Sequence, residues 1–160
     1  MRYGHGNPLR RASEMNHITG MTQMRIRNVS SSNCSDYDAA RAAGSNILSV
    51  RDVRRLGTQG VVDQIPDAES YYITIDIDGF DPSIAPGTGT PSHGGFQYYE
   101  VLEIIQAVAV RNGGTIVGMD LVEIAPPYDP SGITSILGAQ LLLHSIGFIF
   151  HARATRYWFL

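Results

Sequence analysis

The chain has 160 residues and contains no lysine; all 12 of its basic residues are arginine. That absence removes Schiff-base catalysis and a lysine-bearing phosphate loop from this polypeptide. Cysteine is almost missing too. Cys34 stands alone, so an internal disulfide cannot form and the chain reads as cytosolic. It lies in a polar Ser/Asn cluster with no base beside it, which argues against a reactive thiol. Charge is sparse: 17% of residues are charged, and the net charge is −3 at a pI near 5.9. Such a balance excludes nucleic acid as a partner and gives an acidic membrane surface nothing to hold. There is no repeat, no low-complexity tract and no internal linker. The opening residues are polar and glycine-rich, which predicts no signal peptide. The longest apolar run, Ile133 to Phe150, carries Gln140, His144 and two serines. It predicts a buried helix near the chain end, with no membrane partner.

What is present suits one domain spanning residues 1–160, with 43% hydrophobic residues to supply a core. Pro8 to about Met15 reads as a short helix with proline in its first turn. Met21 to Val29 has strand character. Ser35 or Asp36 caps a helix through Ala43 that Gly44 closes. Asn46 to Val50 is a short strand, and Val53 to about Ile65 a helix interrupted near Gly57 and Gly60. Tyr71 to Ile77 is a strand, and residues 81–95 form a loop. Phe96 to Val110 follows helical spacing until Asn112-Gly-Gly114 stops it. Thr115 to Leu121 is a strand, and Ile133 to Ala152 the closing helix. Strands alternating with helices predict βα units and a parallel sheet covered on both faces.

The chemistry is concentrated where the third strand meets a Gly/Pro-rich loop: Thr74-Ile-Asp76-Ile-Asp78-Gly-Phe-Asp81-Pro82, then Pro86-Gly-Thr-Gly-Thr-Pro91. Residues two apart in a strand point to the same side, so Asp76 and Asp78 are expected to reach one spot beyond its carboxyl end. Carboxylates that close repel unless a cation sits between them, which makes the pair a candidate half-site for a metal ion. The alternative for such a pair is capping of the next turn. The fourth strand also ends in acid, Asp120 and then Glu123. Ligands gather beyond the carboxyl ends of parallel strands, so three or four carboxylates are expected to converge on one pocket. Asp81 is expected to bond the loop backbone, and His17, His144 and His151 to cap or solvate helices.

These residues resemble the carboxyl-terminal part of a ureohydrolase, the superfamily of arginase, agmatinase and guanidinobutyrase. Thr74, Asp76, Asp78, Pro82, Pro86, Gly87 and Gly95 match one family signature. Gly118-Met-Asp120-Leu-Val-Glu123-Ile-Ala-Pro126 and His5-Gly-Asn-Pro8 resemble two further segments. The resemblance implies a three-layer α/β/α fold with a mostly parallel sheet, incomplete on its N-terminal side. It implies hydrolysis of an agmatine-like guanidino compound to urea and an amine, within a homo-oligomer. Two Mn²⁺ ions would share a water and lower its pKa from about 16 toward about 7. By the same resemblance Asp76 would bridge both ions and Asp78 would bind one of them. Glu123 would hold the substrate guanidinium, and His5 would carry a proton to the departing amine.

The departures are equally specific. Two upstream family signatures, Gly-Gly-Asp-His and Asp-Ala-His-x-Asp, do not occur. Two carboxylates cannot hold a pair of Mn²⁺ ions by themselves. The 160 residues alone are therefore expected to bind Mn²⁺ weakly and to release no urea. Arg25 stands where related sequences place glycine, and Asn7 where threonine is frequent. A second reading is a non-catalytic remnant that pairs with intact subunits. A third, a haloacid-dehalogenase-type phosphatase, is suggested by Ile75-Asp-Ile-Asp-Gly79. It fails on Phe80, where that loop needs threonine, and on the missing lysine.

Overall fold

A computed structural model describes residues 4–26, 32–111 and 116–151. The glycine stop at 112–114, the far end of the first expected strand and the apolar tail lie outside them. Helix α1 (Pro8–Ala12) leads to strand β1 (Met21–Met24), α2 (Cys34–Ala42) and β2 (Ser45–Leu48). Then follow α3 (Val50–Val62), β3 (Tyr71–Asp76), α4 (Tyr98–Val110), β4 (Ile116–Val122) and α5 (Ile133–His151). All the helices expected from sequence form. Helix α3 starts three residues before Val53, because Ser49 and Asp52 cap one another: the Asp52 N–H donates to Ser49 Oγ, and the Ser49 N–H to the Asp52 carboxylate, both at 3.1 Å. Gly57 interrupts it with φ 69° and ψ 174°, while Gly60 does not.

Strands β1 and β2 run parallel, Met21 opposite Ser45 and Met24 opposite Leu48. Strands β3 and β4 are parallel too, with Thr74 opposite Asp120 and Asp76 opposite Val122. Each pair is closed by a helical crossover, α2 in one and α4 in the other, which is the βαβ unit expected of an α/β fold. Among the described residues the sheet comes as two two-stranded pieces rather than one. Cover is also one-sided over β3. Ile73 and Ile75 face the core, whereas Tyr72, Thr74 and Asp76 are exposed. Parallel strands usually carry a layer on each face; the described residues supply only the inner one here.

The core lies between β3, β4 and helices α3, α4 and α5. Helix α4 contributes Leu102, Ile105 and Val108, at three-residue steps along one stripe. Arg111, just past α4, donates to the carbonyls of Val62 and Ile65 at 2.7 and 2.6 Å and so ties the ends of α3 and α4 together. The closing helix differs from expectation. Only one face of α5 is buried, Thr134, Leu137, Gly138, Leu141, Ser145 and Phe148, while Ile136, Leu143 and Phe150 are exposed. By length and composition α5 is apolar enough to cross a membrane, yet its inner face packs on α4 and β4 as a core helix does.

After β3 the chain turns through Ile77–Gly79, a single 3₁₀ turn, and Phe80 bridges to Phe96. Gly95 makes that bridge fit. A Cβ there would meet the Phe80 carbonyl carbon at 2.4 Å and the Asp81 nitrogen at 2.5 Å, both backbone atoms that cannot swing aside. Gly95→Ala is expected to cost about 2–3 kcal/mol of stability, read as a lower urea midpoint at unchanged slope.

Candidate active site

Asp76 is the last residue of β3, and its carboxylate accepts the Asp78 N–H at 3.1 Å. It thereby caps the 3₁₀ turn that starts at Ile77. The expected pleat ends here, which corrects the simple two-apart argument. Ile77 and Phe80 are almost fully buried, so the backbone curls inward and Asp78 reaches the edge from a turn instead of a strand. One Asp78 oxygen accepts from Arg25 Nη1 at 3.1 Å, and the other from Thr90 Oγ1 at 2.7 Å. Arg25 follows β1, so this contact spans the two strand pairs.

Val122 lies opposite Asp76, which puts Glu123 one residue beyond the same carboxyl edge. Adjacent strands are about 4.8 Å apart, so Asp76 and Glu123 leave neighbouring chain ends. Glu123 is exposed and holds φ 65°, a left-handed conformation that non-glycine residues take at a cost. Asp120 does not join them. It sits one pleat repeat back, opposite Thr74, where it accepts from Thr74 Oγ1 at 2.6 Å and Tyr72 Oη at 3.0 Å. The hydrogen bond to Asp120 pushes the Tyr72 hydroxyl above its ordinary pKa. His5 is exposed in the turn before α1, and no hydrogen bond or ion pair among the described residues ties its ring to this edge. His144 is exposed on α5, and its Nδ1 pairs with the Tyr98 hydroxyl at 2.7 Å.

The expected convergence of three or four carboxylates is thus corrected. Among the described residues no group of three or more His, Cys, Asp or Glu side chains is arranged to hold a metal ion. The donors present do not fit a pair of Mn²⁺ ions on their own, since Asp78 is engaged by an arginine and Asp120 by two hydroxyls. The residue that sequence reasoning left without a role is Arg25. Its signal in the sequence was an arginine where related sequences place glycine, inside the stretch expected to be strand.

Asp81 anchors the loop as expected. Its carboxylate accepts from Ser83 Oγ at 2.7 Å, the Ser83 N–H at 3.1 Å, and the N–H groups of Gly94 and Gly95 at 2.9 and 3.2 Å. The Ser83 bonds, ahead of those from the two glycines, hold its pKa down to about 2. Asp129, at the loop before α5, is likewise held to about 2, chiefly by the Ser131 hydroxyl and the Thr134 N–H.

Residues 1–147 match the sequence profile of the Arginase family. The chain is 44% identical over 114 residues to putative agmatinase 3 of Schizosaccharomyces pombe, covering 69% of this chain and 27% of that protein. It superposes on the proclavaminate amidino hydrolase of Streptomyces clavuligerus with a TM-score of 0.79 at 35% identity, over 96% of this chain and 50% of the other. For the agmatine ureohydrolase of Thermoplasma volcanium the TM-score is 0.70 at 31% identity, over 81% and 42%. The chain spans from about a quarter to half of these relatives.

Asp81 and Asp129 thus have folded pKa values well below their ordinary ones. Their stabilisation is therefore complete above about pH 4 and is lost as pH falls toward 2. Unfolding free energy measured from pH 5 to pH 2 should decline over that window, and Asp81→Asn should make the decline shallower.

Proposed function

This chain belongs to the arginase family, and we propose that it is the distal part of an enzyme that hydrolyses an agmatine-like guanidino compound to urea and an amine. Water adds its oxygen to the guanidino carbon, the bond from that carbon to the nitrogen bearing the alkyl tail breaks, and that nitrogen leaves as the amine, taking a proton from the water. The observation that carries this reading is the acidic edge, where Asp76, Asp78 and Glu123 follow the ends of two paired parallel strands. A planar guanidinium already sits there. Arg25 is held by Asp78 and by the carbonyls of Phe80 and Ser92, so the edge has the polarity and shape this functional group requires.

In this reading Glu123 grips the substrate guanidinium, Asp76 and Asp78 stand at the positions of the family's Mn²⁺ ligands, and His5 is the proton carrier. Because the donors of this chain alone do not fit two ions, no step of the reaction is assigned to a metal. The strained backbone of Glu123 supports its role, since such strain gathers where a side chain must be aimed. His5 has less support, being exposed and unattached to the edge. The apolar outer face of α5, Ile136, Leu143 and Phe150, supports a homo-oligomer, and the lone Cys34 a cytoplasmic setting. The reading of the chain as a non-catalytic partner draws no support from relatives whose names are those of hydrolases.

The purified chain is expected to release no urea from agmatine. A chimera that places ahead of it the part of the Thermoplasma volcanium ureohydrolase it does not cover, and that carries Arg25→Gly to free Asp78 from its arginine, is expected to release urea. Glu123→Gln in that chimera should lower kcat/KM by about 10- to 100-fold, the loss of one charge-assisted bond. A folded chimera without urea release from agmatine, guanidinobutyrate or guanidinopropionate would sink the proposal.

A further inference from the structure

Arg25 combines three unfavourable features. Its φ is 66°, in the left-handed region that suits glycine and strains an arginine. Its side chain is only 4% exposed, so the guanidinium has lost most of its hydration. Its Nε is buried without a hydrogen-bond partner among the described residues. The backbone gives no reason for a large residue, since the Arg25 N–H donates to the Leu48 carbonyl at 2.8 Å as any residue's would. The reason lies at the far end of the side chain.

There the guanidinium lies against Gly79, its Nη1 3.3 Å from where a Cβ on that residue would stand. Nη1 donates to Asp78, and Nη2 donates to the Phe80 carbonyl at 3.2 Å and the Ser92 carbonyl at 3.5 Å. One carboxylate and two carbonyl oxygens around a positive group are the donor set of a cation site. We infer that the Arg25 guanidinium is a built-in cation that fills the position at Asp78 a divalent ion would take, and so keeps metal off that carboxylate. A divalent ion on Asp78 would sit beside a buried positive charge. The two cannot share the oxygen.

This rests on reading Asp78 as a cation-facing carboxylate, and its readout is metal binding without turnover, so it can fail while the hydrolase reading stands. The test is a Mn²⁺ titration of the 160-residue chain, followed by the loss of the free-ion electron paramagnetic resonance signal. Arg25→Gly relieves the backbone, and Arg25→Gln keeps amide donors while removing the charge. Each is expected to bind Mn²⁺ at least about tenfold more tightly than the unaltered chain. Adding Asp78→Asn to either should erase the gain. In the otherwise unaltered chain, Asp78→Asn should leave Mn²⁺ affinity within about twofold, because Arg25 already holds that carboxylate. A folded Arg25 variant with no gain overturns the inference, as does a gain that survives Asp78→Asn. Should neither Arg25 variant fold, the single Asp78→Asn substitution decides: a clear fall in affinity would mean that metal reaches Asp78 past the arginine.

Discussion

Between the β1–β2 pair and the β3–β4 pair no backbone ladder runs among the described residues, and the contact of Arg25 with Asp78 spans that interval at the carboxyl ends. Asp78 and the loop that follows it are arranged around this contact. The arginine fixes one Asp78 oxygen and, through the carbonyls of Phe80 and Ser92, also fixes where the chain goes after β3 and where the following loop returns. A buried ion pair adds little net stability over apolar residues of similar volume, but losing one partner strands the other. The pair therefore acts less as a source of stability than as a determinant of geometry. It also sets the electrostatics, because a carboxylate that faces an immobile positive group is neutralised before any ligand arrives.

The loop between β3 and α4 is organised by polar hubs. Asp81 gathers four donors from Ser83, Gly94 and Gly95, and the Gly95 carbonyl accepts from Arg54, which also pairs with Glu100 on α4. That pairing raises the Arg54 pKa and lowers that of Glu100, the direction expected of partners that stabilise each other's charged forms. The exposed part of the loop has few apolar contacts to offer. Backbone N–H groups converging on one carboxylate replace them, which is how a segment rich in glycine and proline keeps one shape.

Much of this was legible from residue order. The apolar run before Asp76 marked β3, the three-residue steps of Leu102, Ile105 and Val108 marked α4, and the turn residues around Asp81 marked the loop. Departures came where tertiary packing overrode a local rule. Burial of Ile77 turned a strand position into a 3₁₀ turn and changed how Asp78 is aimed. Asp120 looked like one more acid at a strand end, but two hydroxyls from β3 claim it, and only the register reveals that they face it. The span from Arg25 to Asp78 is 53 residues, and periodicity carries no information at that separation. The half-exposed character of α5 was hidden for a related reason: its apolar residues surround the helix, so composition could not tell a covered face from an open one.

The Pro/Gly-rich loop has two ends of unequal firmness. At Gly87 the N–H donates to Thr134 Oγ1 at 2.8 Å and the carbonyl accepts the Ala125 N–H at 2.8 Å, so both sides of the peptide are fastened to the approach and first turn of α5. Three residues on, exposed Thr90 holds Asp78 by one hydroxyl, and the neighbouring Gly89 has open space around it. Releasing the first end requires undoing the start of a long helix; releasing the second requires a single side-chain rotation. Motion at the Thr90 end can thus proceed on the nanosecond-to-microsecond clock of a loop tip, while the framework that aims the Asp78 carboxylate stays shut.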